Sequence, residues 1–265
     1  MSDACLPLID LARLRAALGP AAVRFDVDAL ASCASTSSLL LERLSAGAPS
    51  GTVVVADRQT AGRGRRGRSW QSTPEDSLTF SLLWRFPLSA DKLVGLSLAI
   101  GVAVARALHL LEAQGVGLKW PNDVLFQGAA KLGGILIELQ GGRQATAAVI
   151  GIGLNLQKPL ADVGQPVAGL VDAMPALPER HQLLATLLEQ LALVLEQFSA
   201  QGFAACREAW QEYHAWQGRA LCLLADGQLQ GEGICLGADS DGALLLATEA
   251  GTVRYLSGEL SLRMA

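Results

Sequence analysis

The sequence predicts a mixed α+β domain followed by a small β-barrel, and three observations carry that prediction. Apolar or β-branched runs of strand length alternate with stretches of helical period over residues 22–154. The stretch 93–111 has an apolar face wider than a surface helix needs, so it should lie buried against a sheet. From Gly218 the pattern changes to short strands at close intervals, broken by Asp226-Gly227, Asp241-Gly242 and Gly251. The expected division is therefore a domain over residues 1–217 and a barrel over 218–265.

Each element has a local reason. Leu8, Leu11, Leu14 and Leu18 have helical spacing, so a short helix is expected over 6–18, stopped by Gly19-Pro20. Residues 22–30 alternate around Val23, Phe25 and Val27 as a strand does, and Ser35 or Thr36 can cap a helix running through Leu39, Leu40 and Leu44. Residues 52–56 form a β-branched run. Further strands are expected at 77–86, 116–119, 124–126, 134–139 and 146–154, separated by Gly, Pro, Asn and Asp. Two helices, 178–198 and 203–214, should close the domain. The barrel strands are expected at 220–224, 231–236, 243–247 and 252–256.

Composition narrows the function classes. With 51% hydrophobic and 17% charged residues the chain reads as globular and ordered. A formal charge of −4 argues against bulk attraction to DNA or to an anionic membrane. Against that acidic background Arg63, Arg65, Arg66 and Arg68 are concentrated in one stretch. The five cysteines, Cys5, Cys33, Cys206, Cys222 and Cys235, include no C-x-x-C pair, so reduced thiols are expected rather than zinc or dithiol sites. Charges interrupt the apolar positions of residues 1–20, which fits neither a signal peptide nor a spanning helix and places the protein in the cytoplasm.

The segment Gly62-Arg63-Gly64-Arg65-Arg66-Gly67-Arg68 has the spacing G-x-G-x-x-G after a strand, which raises a dinucleotide-binding turn. No helix follows it: Ser69, Gln71, Ser72, Thr73 and Pro74 lead to another strand. The alternatives are a solvated basic loop or a loop that folds over an anion. Glycines permit close approach, guanidiniums offer permanent bidentate charge, and so dense a cluster should order when an anion arrives. Lys119-Trp120-Pro121-Asn122-Asp123 then ends one strand. Lys131-Leu132-Gly133-Gly134 puts a lysine at the mouth of the next, and Gly151-Ile152-Gly153-Leu154-Asn155 repeats the small-residue pattern on a neighbour.

Taken in this order, these segments resemble biotin protein ligases, also called biotin–acetyl-CoA-carboxylase ligases, over nearly the whole chain from Ser35 to the barrel. The stretch from Gln59 to Trp70, then K-W-P-N-D and K-L-G-G-I-L, carry most of the likeness. The resemblance implies a class II synthetase-like mixed sheet with helices packed behind it, plus an SH3-like barrel. It places Ser35, Thr36 and Ser37 around biotin, where the family usually shows Ser-Thr-Asn, so Ser37 is a departure. Gln59, Arg63, Gly64, Arg65 and Lys131 match biotin-contacting positions. Arg63, Arg65, Arg66, Trp70, Lys131 and Asn155 fall on the adenylate side, with Trp70 on the adenine or on the closed loop and Trp120 in the core.

The implied reaction activates biotin with MgATP to biotinyl-5′-AMP, then passes biotin to a lysine on the biotin carboxyl carrier protein of acetyl-CoA carboxylase. Lys131, Arg65 and Asp123 would carry the chemistry, Asp123 acting either on the acceptor lysine or on magnesium. No metal-ligand set can be assigned. One short helix before the first strand is too little chain for the winged-helix DNA-binding domain that some members carry, so no repressor role is expected. Monomer and homodimer through a sheet edge are equally compatible. A lipoate ligase or octanoyl transferase is the enzyme alternative, disfavoured by the arginine-glycine loop. A nucleic-acid-binding protein is disfavoured by the acidic charge and the lack of interleaved aromatics. The histidines His109, His181 and His214 lack partner motifs and read as ordinary residues.

Overall fold

A computed structural model describes residues 6–142, 144–159, 164–257 and 260–265. Asp10 caps the first helix, α1 (Leu11–Leu18), its side chain accepting the Arg13 N–H, so this helix starts later than its apolar spacing suggests. A 3₁₀ turn occupies Gly19–Arg24, which delays β1 to Asp26–Cys33. Ser35 caps α2 (Thr36–Ser45), and β2 (Thr52–Gln59) continues past its β-branched run to the edge of the arginine loop. After β3 (Ser77–Phe86), α3 (Leu96–Leu110) starts only beyond Gly95, which sits at φ 81°.

Next come β4 (Val116–Lys119), β5 (Asp123–Phe126), β6 (Ala130–Gly141) and β7 (Thr146–Asn155). They join a seven-stranded sheet in the order β1-β2-β3-β7-β6-β5-β4, in which only the β1–β2 pair is parallel. β6 begins before the expected residue 134, so Lys131 lies within the strand, beside a register shift at Val124/Leu125 of β5. α4 (Arg180–Gln201) and α5 (Arg207–Tyr213) close the domain.

The two faces of this sheet differ, and the period-2 alternation of strands explains how. Val53, Val55, Phe80, Leu82, Ile150 and Ile152 join the large core formed with α3 and α4. The helical span Ala90–Leu110, which ends in α3, and α4 are long and apolar enough to cross a membrane, but more than half of each apolar window is buried within the fold. On the opposite face Val54, Leu83 and Val149 pack under Leu40 and Leu44 of α2. Farther along that face the side chains become small or polar: Thr79, Ser81, Gly151 and Gly153. A sheet face lined this way leaves a hollow next to α2.

The C-terminal region forms a second sheet from β8 (Ala220–Ala225), β9 (Gln228–Ala238), β10 (Leu244–Thr248), β11 (Gly251–Tyr255) and β12 (Leu260–Met264), ordered β11-β10-β9-β8-β12. Sequence reading missed β12. The expected SH3-like barrel is here an open antiparallel sheet, because β11 and β12 do not pair with each other among the described residues. Its inner face is covered by the main domain: Leu221, Leu223, Leu244 and Leu246 belong to the same core as α3 and α4, and Trp120 Nε1 donates to Gly242 O at 3.1 Å. Trp120 is a core residue, as read from sequence.

Cys33, Cys206, Cys222 and Cys235 are free thiols, and Cys5 lies outside the described residues. Burial raises the pKa of Cys33, Cys206 and Cys235, which keeps them protonated and unreactive.

Candidate active site

The hollow beside α2 is a cavity of about 470 Å³. One end is built from the first turn of α2, the end of β2 and the middle of β7: Ser35, Thr36, Ser37, Gln59 and Gly151 line it. At a helix start the backbone N–H groups lack intrahelical partners, so polar side chains gather there. Gln59 Oε1 accepts from Thr36 N at 2.8 Å and from Thr36 Oγ1 at 3.2 Å. Ser35 both caps the helix and lines the cavity, so its structural and binding readings coexist.

The arginine loop, which follows β2 and touches α2 through Arg63, folds back on itself. Trp70 N donates to Gly62 O at 2.8 Å and Gly64 N donates to Arg68 O at 2.7 Å. Arg66 lies at φ 60° and Gly67 at φ 68°, so the turn places two consecutive residues in left-handed backbone. The guanidiniums diverge from one another to separate partners. Arg63 bonds Glu138 of β6 and donates to Ser38 Oγ at 3.2 Å, while Arg65 donates to Asn122 Oδ1 at 2.9 Å. Arg66 reaches Asp226 in the β8–β9 turn at 2.6 Å. Arg63, Gly64 and Arg65 line the cavity; Arg66 faces the C-terminal sheet and is not among its lining residues. Desolvation lowers the Arg65 pKa, opposed by the nearby Asp123 carboxylate, and a guanidinium remains charged under either influence.

Lys131, on β6, also lines the cavity. Its Nζ pairs with Asp123 Oδ1 at 2.6 Å, with both side chains more than four-fifths buried. Asp123 is not itself a lining residue, so Lys131 separates it from the cavity. Lys119, the first residue of the K-W-P-N-D segment, faces the same carboxylate. Burial lowers its pKa to about 8, partly opposed by Asp123, and its Nζ sits 4.4 Å from the Trp216 ring centroid. Sequence reading gave Lys119 no role of its own.

Trp70 enters the cavity and lies on glycines of both central strands. A Cβ on Gly153 would come within 2.4 Å of its Cε2, and one on Gly134 within 3.6 Å of its Cζ3. These glycines are paired across β6 and β7, so the indole rests on bare backbone. Its Nε1 is buried without a hydrogen-bond partner among the described residues. Asn155 lines the cavity, and its Nδ2 donates to Lys131 O at 3.3 Å and Ala168 O at 3.1 Å. It fastens the cavity floor to the 164–168 segment. His181 accepts from Asp10 N, and His214 stacks on Trp210, both away from the cavity. Among the described residues no group of three or more His, Cys, Asp or Glu side chains is placed to hold a metal.

The cavity thus joins a neutral hydrogen-bonding end to a cationic end, the arrangement for a ligand with a polar neutral head and an anionic tail. Residues 30–155 match the model of the Biotin/lipoate A/B protein ligase family. The chain is 37% identical over 235 residues to the bifunctional ligase/repressor BirA of Escherichia coli K12, covering 87% of this chain and 72% of that protein. It is 34% identical to the biotin–[acetyl-CoA-carboxylase] ligase of Paracoccus denitrificans, covering 79% of this chain and 89% of the other. The chain belongs to the biotin protein ligase family.

The fold agrees. The biotin protein ligase of Aquifex aeolicus, solved in complex with biotin and ATP, superposes with a TM-score of 0.78 at 31% identity, covering 91% of this chain and 99% of that one. The protein is therefore an enzyme of the biotin–protein ligase class, with the mixed sheet and packed helices of its solved relatives.

Proposed function

We propose that this ligase joins biotin to ATP, forming biotinyl-5′-AMP, and then transfers biotin to a lysine of the biotin carboxyl carrier protein of a carboxylase. The observation that carries the reading is the two-ended cavity. Ser35, Thr36, Ser37 and Gln59 offer hydrogen bonds to a neutral ring, while Lys131, Arg63 and Arg65 meet the carboxylate and the α-phosphate. The solved complex of the A. aeolicus relative with biotin and ATP, and the naming of the P. denitrificans relative, support the substrate and carrier assignments.

In the first step a biotin carboxylate oxygen bonds to the α-phosphorus as the bond to the β-phosphate oxygen breaks, releasing pyrophosphate. Two anions must approach, and positioned cations lower that barrier without any covalent enzyme intermediate. Lys131 must exchange its partner Asp123 for substrate oxygens. Magnesium arrives with ATP as part of the substrate, since ions of its size are held by phosphates and one or two carboxylates. Asp123, released from Lys131, is then available to the ion or to the acceptor lysine's proton. In the second step the neutral amine attacks the acyl carbon and AMP leaves. The arginine loop, closing with Trp70 beneath it, keeps water from the mixed anhydride. We place the enzyme in the cytoplasm and read its C-terminal sheet as an SH3-like module.

The test is pyrophosphate release by the purified protein with MgATP, comparing biotin with lipoate and octanoate, for the wild type and Lys131→Ala. Biotin-dependent release that falls at least about a hundredfold in the variant is expected for a charge that stabilises the transition state. Release only with lipoate or octanoate, or none with any acid, would overturn the reading.

A further inference from the structure

Behind the hydroxyl end of the cavity lies Ser81 of β3, fully buried and absent from the cavity wall. Its Oγ is 2.8 Å from Thr36 Oγ1 and 3.0 Å from Ser37 Oγ. The proton on each hydroxyl can be assigned by starting from Gln59. The Thr36 backbone N–H can only donate, so the Gln59 atom 2.8 Å away is the carbonyl oxygen. That oxygen carries no proton, so the Thr36 hydroxyl at 3.2 Å donates to it as well. A hydroxyl has one proton to give. Ser81 must then donate to Thr36, and Ser37 must donate to Ser81.

The chain therefore runs one way, from Ser37 through Ser81 and Thr36 to Gln59. At its cavity end Ser37 Oγ has only lone pairs left, and at its other end the Gln59 amide keeps Nε2 as a donor. Gly151 is required beside it, because a Cβ there would sit 2.6 Å from Ser37 Oγ. We propose that Ser81 is a positioning residue that makes Ser37 an obligate hydrogen-bond acceptor, so that the cavity selects a ring offering an N–H beside a carbonyl over one offering an acceptor in place of that N–H. This rests on the reading of biotin, a cyclic urea, as the acid that is activated. Ser37 acquires its polarity from a residue that lies outside the cavity wall.

The experiment is calorimetric titration of the full-length protein with biotin and with its two cyclic carbamate analogues, each replacing one urea N–H by a ring oxygen. The wild type should prefer biotin over the weaker analogue by about a hundredfold or more, since two acceptors would then face each other. In Ser81→Ala the Ser37 proton is free to turn toward the cavity, and the preference should fall about tenfold or more, chiefly because the analogue gains. In Ser37→Ala it should fall because biotin loses. A Ser81 that serves only packing would weaken both ligands alike, and an unchanged ratio in Ser81→Ala overturns the proposal. If that variant does not fold, an unchanged ratio in Ser37→Ala does the same. A wild type that binds no biotin overturns the substrate reading together with the proposal, whereas tight biotin binding with unchanged ratios sinks the proposal alone.

Discussion

Acid should destabilise this protein through one histidine. His214 is 5% exposed; its ring stacks on Trp210 with centroids 4.4 Å apart, and its Nδ1 lies 3.4 Å from Gln217 Oε1. Nε2 is buried without a partner among the described residues. Burial lowers the pKa from its ordinary 6.5 to about 4, with the Gln217 contact pulling weakly upward. Because the folded pKa is the lower one, the unfolded chain takes up the proton first. The stability held by neutral His214 is complete above about pH 7.5, declines as pH drops through the unfolded value near 6.5, and is fully lost below about 4. The gap corresponds to about 3 kcal/mol in all, of which about 2 kcal/mol is gone by about pH 5.

Urea unfolding followed by tryptophan fluorescence, at about pH 7.5 and about pH 5, measures this when the wild type is compared with His214→Phe. Phenylalanine keeps a ring on Trp210 and cannot titrate. Carboxylates titrate in both proteins, so the difference between the two losses isolates the histidine. The wild type should lose about 2 kcal/mol more than the variant over that interval. Equal losses would refute the argument, and would mean that the His214 pocket admits water or a counter-charge.

Three further outcomes follow from the site. Gly153→Ala should force the Trp70 indole off β7, costing about 1–3 kcal/mol as overpacking does and weakening biotin binding; thermal unfolding and titration read the two effects. Asp123→Asn leaves Lys131 without its anionic partner, which should cost about 2 kcal/mol, and it should push the Lys119 pKa below its value of about 8, checked by NMR titration of lysine side-chain carbons. Asp226→Ala removes a pair whose carboxylate is 79% exposed, so stability should change by less than about 1 kcal/mol, while trypsin cleavage at Arg66 should quicken; unchanged cleavage would show that the pair does not hold the loop.

Much of this protein was legible from residue order. The strands at 77–86 and 116–119 coincide with β3 and β4, because short apolar-rich runs bounded by Gly, Pro and Asn have few alternatives. The arginine loop, the lysine of K-L-G-G and the Ser-Thr-Ser helix start were legible as chemistry, since Gly, Arg and cap residues are local signals. Residue order also determined family membership, through motifs that keep their spacing.

Tertiary structure alone decided what those residues touch. The Asp123–Lys131 pair depends on strand register, and the partners of the loop, Glu138, Asn122 and Asp226, come from three separate parts of the chain. Ser81 reads in sequence as one more strand residue; only the pairing of β3 with β7 and the placement of α2 bring its hydroxyl between Thr36 and Ser37. The missed strand β12 and the open sheet have the same cause. A short terminal segment carries little pattern of its own, and whether a sheet closes depends on what covers its inner face, here the core of the larger domain. Local propensity is read along the chain, whereas pairing partners are chosen by packing across it.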